Sequence, residues 1–455
     1  MDPSLIVIAK RTSFQNWSRT FRCSPEYYFS VHSEDQIIKI LELARNNGKR
    51  VKVIGSGHSP SDLACTDGYM INTDKLNAVL NINIEEKTIT VQGGIRLYQL
   101  HEILAKHGLA LSNLGSISEQ SIAGVISTAT HGTGINFPSL SSMVLELTLL
   151  TADGSRITCS RKENQDIFCS ALCGLGCIGI ITEVKLQCEP AFRLEVQETP
   201  EKLDHVLDNL DSIVQSDEHV RFWWFCHTNN VVLWRANRTD KPKTNKLTSW
   251  YKSRFLGFHL YQFLLYVSRF RPSLIPFISQ QHFSMQFTQP ANVIDDSYKA
   301  FNFDCLFPQY VNEWAIPYEK TAQALRQLRN AINENGYMVH FPVEVRFVRE
   351  EHDVWLSPAY GRPTCYIGII MYRPYGTPVP YKKYWKIFEE IMYSLGGRPH
   401  WAKAHKQTPE QLSASYPKFQ EFCKVRNRLD PKGMFLNDYL ERHLIGDKYT
   451  IKSKL

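Results

Sequence analysis

The chain has 455 residues, 43% hydrophobic and 21% charged, enough apolar material for sizeable cores and unlike a disordered or collagenous polymer. Its 52 Lys+Arg exceed its 45 Asp+Glu by too little, and too diffusely, for a nucleic-acid-binding surface, so no nucleic-acid partner is expected. Eleven cysteines without even spacing argue against a disulfide scaffold and for reduced, buried thiols.

At roughly 100–200 residues per domain, two to four domains are expected. Residues 35–46 set Ile37, Ile38, Leu41, Leu43 and Ala44 at helical spacing, with Gly48 near the end. A strand at 51–54 runs into Gly55-Ser56-Gly57-His58-Ser59, and 89–91 and 97–107 read as a strand and an amphipathic helix. Two strands in 144–158 flank Asp153-Gly154, a hairpin signal. A helix at 166–175 and a strand at 178–186 close this region, and the pattern changes near Pro190.

Beyond that point, 201–215 reads as a helix and 220–224 with 231–234 as paired strands. An aromatic-rich helical insert covers about 250–283; its most apolar stretch is shorter than the ~20 residues of a membrane span, so it reads as either a buried helix or an interfacial one in contact with a membrane surface. Pro317 opens a helix to Asn333, strands follow at 339–348 and 365–372, and helices at 384–395 and 418–429. The fold class is α+β in two domains, 1–190 and 191–455, with no internal repeat. The chain ends Ser453-Lys454-Leu455, a peroxisomal address read by an import receptor.

Gly174-Leu-Gly176-Cys-Ile-Gly179 matches G-x-G-x-x-G, but a helix precedes it and a strand follows. A dinucleotide fingerprint needs the reverse order, so that a helix N-terminus meets the pyrophosphate. The segment reads as a tight turn, and nearby Cys169, Cys173 and Cys177 as core residues without the spacing of a zinc site. No metal is expected.

The loop after strand 51–54 is more informative. Small residues let backbone approach a ligand, and consecutive N–H groups form an anion nest. A second small-residue stretch runs from Ser121 through Gly124 to Gly134, so two phosphate-binding cradles some seventy residues apart suggest one large diphosphate-bearing cofactor. Glu344 and Arg346, two apart on a strand, share a face, while Val343, Val345 and Phe347 pack on the other. Alone, such a pair reads as a surface ion pair.

GSGHS, LGSISEQSIAG, ATHGTG and GCIGIITEV together resemble the FAD domain of the vanillyl-alcohol oxidase family. The Glu344-Val-Arg346 segment and the run Gly397-Arg-Pro-His400-Trp-Ala-Lys403-Ala-His405 resemble its aldonolactone oxidase branch, as do CSPE, MYRPYG and MFLNDYLE. The resemblance covers essentially the whole chain. It implies an N-terminal FAD-binding domain and a C-terminal substrate (cap) domain. It also implies oxidation of an aldono-1,4-lactone at C2, with L-gulono-1,4-lactone to ascorbate favoured and dioxygen reduced to hydrogen peroxide. A D-arabinono- or L-galactono-1,4-lactone substrate, a cytochrome c acceptor, and a non-catalytic flavoprotein are the alternatives.

By the same resemblance, His58 matches the histidine bonded covalently to the flavin. Val53, Ile54, Gly55, Ser56, Gly57 and Ser59, with Ser121, Gly124, Thr128, Ala129, Thr130, His131, Gly132 and Ile181, hold the cofactor. Ser116 lies at the flavin–substrate contact, and Gly115 stands where a missing side chain is linked to oxygen access. Glu344 binds a sugar hydroxyl, Arg346 stabilises negative charge on reduced flavin, and Lys403 is a fixed positive charge; His400 and His405 orient the loop. The tail points to a peroxisome or related organelle, the family's animal members to a microsomal membrane.

Overall fold

Three larger sheets organise the protein, a computed structural model that describes residues 5–10, 12–244, 257–302 and 307–446. The first has the order Ile6–Lys10, Tyr27–Ser30, Tyr69–Asn72, Val51–Ile54, the last three strands parallel. Parallel neighbours need a crossover, and the helix Glu34–Asn46 lies between Tyr27–Ser30 and Val51–Ile54 in the chain. The Ser33 side chain caps it by accepting from the Gln36 N–H, and Ile37, Ile40, Leu41 and Ala44 are its buried face.

The second sheet is antiparallel, ordered Arg156–Ser160, Val144–Leu150, Ile180–Gln187, Thr88–Gln92, Val79–Asn83. The Asp153-Gly154 turn joins the first two of these strands, and Gly154 takes the positive φ (+86°) the turn requires. The Gly174–Gly179 segment connects the helix Gln165–Ala171 to the strand Ile180–Gln187, the order that excludes a dinucleotide fingerprint.

The third sheet has eight antiparallel strands: Ala291–Asp296, Arg193–Lys202, Asn230–Thr239, His219–Phe225, Val343–Val348, Thr364–Tyr372, Gln309–Pro317 and Arg398–Pro399. One face packs on the helices Thr321–Glu334 and Lys382–Ser394, burying Val343, Val345 and Phe347 with Phe222, Trp224 and Ile367. The opposite face therefore carries Glu344 and Arg346.

Every sheet draws its strands from one side of residue 190, but packing crosses that point. The helices Pro409–Ser415 and Phe419–Leu429 put Leu412, Tyr416, Phe422 and Val425 into the N-terminal core, together with Phe435 and Tyr439. Asn437 then donates to the Leu63 and Cys65 carbonyls (2.9 and 2.8 Å), tying the chain's return to the segment that follows His58.

Several elements differ from the sequence expectation. The strand Arg193–Lys202 pairs along its full length with Asn230–Thr239, so the expected helix at 201–215 begins later and divides into Leu203–Asp208 and Leu210–Val214. At the break, Asn209 donates its side-chain amide to the His205 carbonyl at 2.9 Å. Pro317 ends a strand instead of opening a helix, which starts at Thr321. Of the aromatic insert, residues 250–256 lie outside the described residues. The remainder forms the helices Tyr261–Ser268 and Ile275–Gln286, separated at Arg271-Pro272, with Phe263, Phe270 and Phe277 exposed. Among the described residues no helix is long and apolar enough to cross a membrane.

Candidate active site

The predicted cofactor loop and the second small-residue stretch meet at one cleft. Val53, Ile54, Gly55, Ser56, Gly57, His58 and Ser59 line it, opposite Ser121, Gly124, Thr128 and Ile181. The glycines there are steric requirements. A Cβ on Gly55 would lie 2.1 Å from Ser121 Oγ, and Gly57 has φ +65° with the Phe14 ring 3.0 Å from the Cβ position.

Two polar groups in the cleft suit a large anionic cofactor. His58 stacks on Trp17 (centroids 5.2 Å apart), and its buried Nδ1 has no hydrogen-bond partner. Burial, then the charges of Arg96 and Lys403, push its pKa down to about 4, leaving a neutral ring. Lys52, which sequence reasoning passed over as one residue of a strand, is 3% exposed and donates to the Leu175 carbonyl at 3.0 Å. Burial lowers its pKa to about 8, a penalty that phosphate charge in the cleft would offset. An unpartnered imidazole nitrogen, a buried ammonium and glycine-lined walls fit FAD.

Ala129, Thr130, His131 and Gly132 do not line this cleft. Their segment packs against the loop before Ser116: a Cβ on Gly132 would lie 2.2 Å from Asn113 Oδ1, and one on Gly115 would lie 3.1 Å from Thr130 Cγ2. The His131 ring instead stacks on Tyr366 of the large sheet, at 3.5 Å between centroids and 15° between planes.

On that sheet face, register sets two rows of side chains across neighbouring strands. One row contains Trp223, Glu344, Gly368 and Glu313, the next Arg221, Arg346, Tyr366 and Ala315. Arg346 donates to Glu344 Oε2 at 2.6 Å, whereas the buried Oε1 makes no hydrogen bond. Burial opposes the charge of Arg346, but Glu344 and Glu313 raise its pKa above the ordinary value. Arg221 packs between the Trp223 and Trp234 rings and reaches Ser116 Oγ at 3.5 Å, with burial lowering its pKa to about 10. A cavity of about 640 Å³ opens beside Arg221, Trp223 and Glu344, with Tyr261 and His282 of the insert on its wall.

Lys403 lies 3.5 Å from Glu313, and Glu313 lies 3.4 Å from His131. His400, whose backbone N–H donates to the Glu313 carbonyl at 3.0 Å, is buried beside them. His405 is elsewhere, 3.2 Å from the Tyr439 hydroxyl and with its ring tilted against that of His443 (centroids 4.0 Å apart). The structure thus brings Ser116, Glu344, Arg346 and Lys403 to one sheet face. It adds Arg221, Glu313 and Tyr366; the signal available in the sequence was a polar or charged side chain in a largely apolar strand for Arg221 and Tyr366, and the Asn312-Glu313 pair for Glu313.

Residues 184–443 match the D-arabinono-1,4-lactone oxidase family, and residues 25–160 the FAD binding domain family. The chain is 48% identical to the L-gulonolactone oxidase of Bos taurus over 434 residues, 95% of this chain and 98% of that one. To the L-gulonolactone oxidase of Scyliorhinus torazame it is 47% identical, covering 94% and 97%. Among solved structures, cholesterol oxidase from Brevibacterium sterolicum superposes with a TM-score of 0.82 over 98% of this chain and 99% of that one. At 16% identity, that likeness concerns the fold alone. With FAD as the cofactor its cleft is built to hold, and with Glu344 and Arg346 on the sheet face that family matching covers, the chain belongs to the aldonolactone oxidases.

Proposed function

We propose that the chain oxidises the C2 hydroxyl of L-gulono-1,4-lactone with dioxygen as acceptor, giving ascorbate, through tautomerisation of the 2-keto lactone, and hydrogen peroxide. The observation that carries this reading is the buried Glu344–Arg346 pair, with Glu344 Oε1 unbonded and Glu344 lining the 640 Å³ cavity together with Arg221. Bound FAD supplies the two-electron acceptor. Glu344 Oε1 accepts a hydrogen bond from a lactone hydroxyl, and Arg346 sits where negative charge develops. Lys403 and Arg221 add positive charge, and the Ser116 hydroxyl orients the substrate. The Trp223 and Trp234 rings exclude water from one side.

The 47–48% identity to L-gulonolactone oxidases supports the gulono-lactone, and the family description supports D-arabinono-1,4-lactone as the second reading. A panel of L-gulono-, L-galactono- and D-arabinono-1,4-lactones, with oxygen consumption and peroxide followed together, tests substrate and acceptor. Stoichiometric peroxide with the gulono-lactone is expected. Cytochrome c reduction without peroxide would make the enzyme a dehydrogenase. The family resemblance at Gly115 supports oxygen as acceptor; a methyl group there would also press on Thr130 Cγ2 at 3.1 Å, a separate packing constraint on this glycine.

A covalent bond from His58 to the flavin is part of this proposal, supported by the unpartnered Nδ1. Acid precipitation of the purified protein then leaves yellow flavin in the pellet, and His58→Ala releases it to the supernatant. Complete release from the wild type would remove the linkage.

Location rests on Ser453, Lys454 and Leu455, which lie outside the described residues. We propose import into a peroxisome or related organelle through this tail, with the exposed Phe263, Phe270 and Phe277 supporting contact with a membrane surface. A fluorescent protein fused at the N-terminus becomes punctate with the tail and diffuse without it. An unchanged distribution would argue for the microsomal alternative, and vesicle flotation of Phe270→Ser reads the surface contact separately.

A further inference from the structure

Glu313 is a buried charge that the reaction scheme leaves without a role. It lies on the strand Gln309–Pro317 opposite Gly368, which in turn faces Glu344, so a glycine separates two carboxylates in one row. A Cβ at Gly368 would reach Glu313 Oε1 at 3.7 Å, an ordinary contact, so this position in the row lies directly against the Glu313 carboxylate.

The two Glu313 oxygens are divided between segments that the sequence separates widely. Oε1 is 3.4 Å from Nε2 of His131, which follows the cofactor-side stretch, and Oε2 is 3.5 Å from Nζ of Lys403. Each partner is held a second time. The His131 ring is stacked on Tyr366, with Nδ1 3.0 Å from the Gly132 carbonyl. The Lys403 N–H donates to the His400 carbonyl at 2.9 Å, and His400 N–H to the Glu313 carbonyl.

Burial alone would raise the Glu313 carboxyl, yet Lys403, His131 and Arg346 hold its pKa well below the ordinary range, so it is ionised at neutral pH. The Lys403 charge extends across to the cofactor cleft, where it is among the charges that keep His58 neutral. His131, Glu313 and His400 also offer donor atoms within 4.8 Å of one another, as a metal would require. The Lys403 ammonium already supplies a cation to the carboxylate.

We propose that Glu313 is a positioning residue of the oxidation: its two oxygens lock Lys403 and the His131-bearing loop into one arrangement between the cofactor cleft and the Glu344–Arg346 pair. This rests on the lactone-oxidation reading for its kinetic consequence, though not for its geometry. A flexible lysine gains fixed position by having its counter-charge buried and itself immobilised.

The test is a double-mutant cycle of Glu313→Gln, Lys403→Met and the pair on the flavin-loaded enzyme. Flavin bleaching by saturating lactone without oxygen gives the rate, and sulfite titration of flavin absorbance gives a reading that needs no lactone. Each single change is expected to slow bleaching about 30-fold or more with KM within about threefold, and the pair to be no slower than Lys403→Met alone. The sulfite dissociation constant should respond to Lys403→Met by about tenfold in the native background and by less than about threefold beside Glu313→Gln.

Additive effects in both readings would overturn the proposal, as would a stoichiometric metal that Glu313→Gln removes. Should Glu313→Gln misfold by leaving the ammonium unpaired, the double variant, which removes both charges, still compares with Lys403→Met. If the wild-type flavin is bleached by no lactone, the functional reading fails, while the sulfite cycle still decides the role of Glu313.

Discussion

Glu344→Gln lowers kcat/KM for the lactone by about 10²–10³-fold, the usual cost of removing one preorganised group that meets developing charge. Glutamine keeps the shape but loses the anion, so Oε1 can no longer accept as a carboxylate and Arg346 loses the carboxylate it is paired with. The pair is nearly buried, at 8% and 13% side-chain exposure, so breaking it also destabilises the fold by about 3–5 kcal/mol. Removing both charges separates the two effects. Glu344→Leu with Arg346→Met restores most of the melting temperature, because an apolar pair of similar size avoids the desolvation cost, and leaves the enzyme inactive. The check is steady-state kinetics beside thermal unfolding of the flavin-loaded protein. Full activity in Glu344→Gln would place the hydroxyl-binding group elsewhere.

The second large effect is acid lability. His101, His219, His340 and His443 are each less than 5% exposed, and burial pushes the pKa of every one down to about 4. His400 and His405 are buried too, and burial drives them further down. In the unfolded chain a histidine protonates near pH 6.5. Between pH 6.5 and 4, therefore, the unfolded state binds protons that the folded state refuses, and stability falls as the pH drops. A shift of this size is worth up to about 3 kcal/mol per residue. Four such residues together match the whole stability of an ordinary domain, about 5–15 kcal/mol. The protein is expected to hold its melting temperature from pH 7.5 to 6.5 and to lose it steeply by pH 5. A flat profile down to pH 4.5 would mean that these rings are protonated in the fold.

Much of the cofactor half was legible from the sequence because its signals are local. The strand into Gly55–Ser59, the Asp153-Gly154 hairpin and the helix-then-strand order around Gly174–Gly179 each follow from short-range backbone rules. The Glu344/Arg346 face was equally readable, since alternation along one strand settles which side chains share a side. The strand Gln309–Pro317 was not. It is buried on both faces and carries Asn312, Glu313 and Trp314 in succession, so no alternation marks it, and its terminal proline resembled a helix start.

Lys52 is the one charge in its strand, Arg221 shares its strand with His219 and Glu313 follows Asn312, and none of the three carries a sequence signature of its partner. The sequence by itself determined the two small-residue cradles and the acid–arginine spacing of the site, but in it Gly174–Gly179 reads only as a turn, whereas Gly176 and Gly179 also line the cofactor cleft. Tertiary structure alone decided that the His131 ring stacks on Tyr366 of the large sheet, and that Glu313 joins it to Lys403. It also decided that the last helices return to the first core. These are contacts between residues tens to hundreds of positions apart. They are set by strand register and by the need to pair buried charge, neither of which any short stretch of sequence contains.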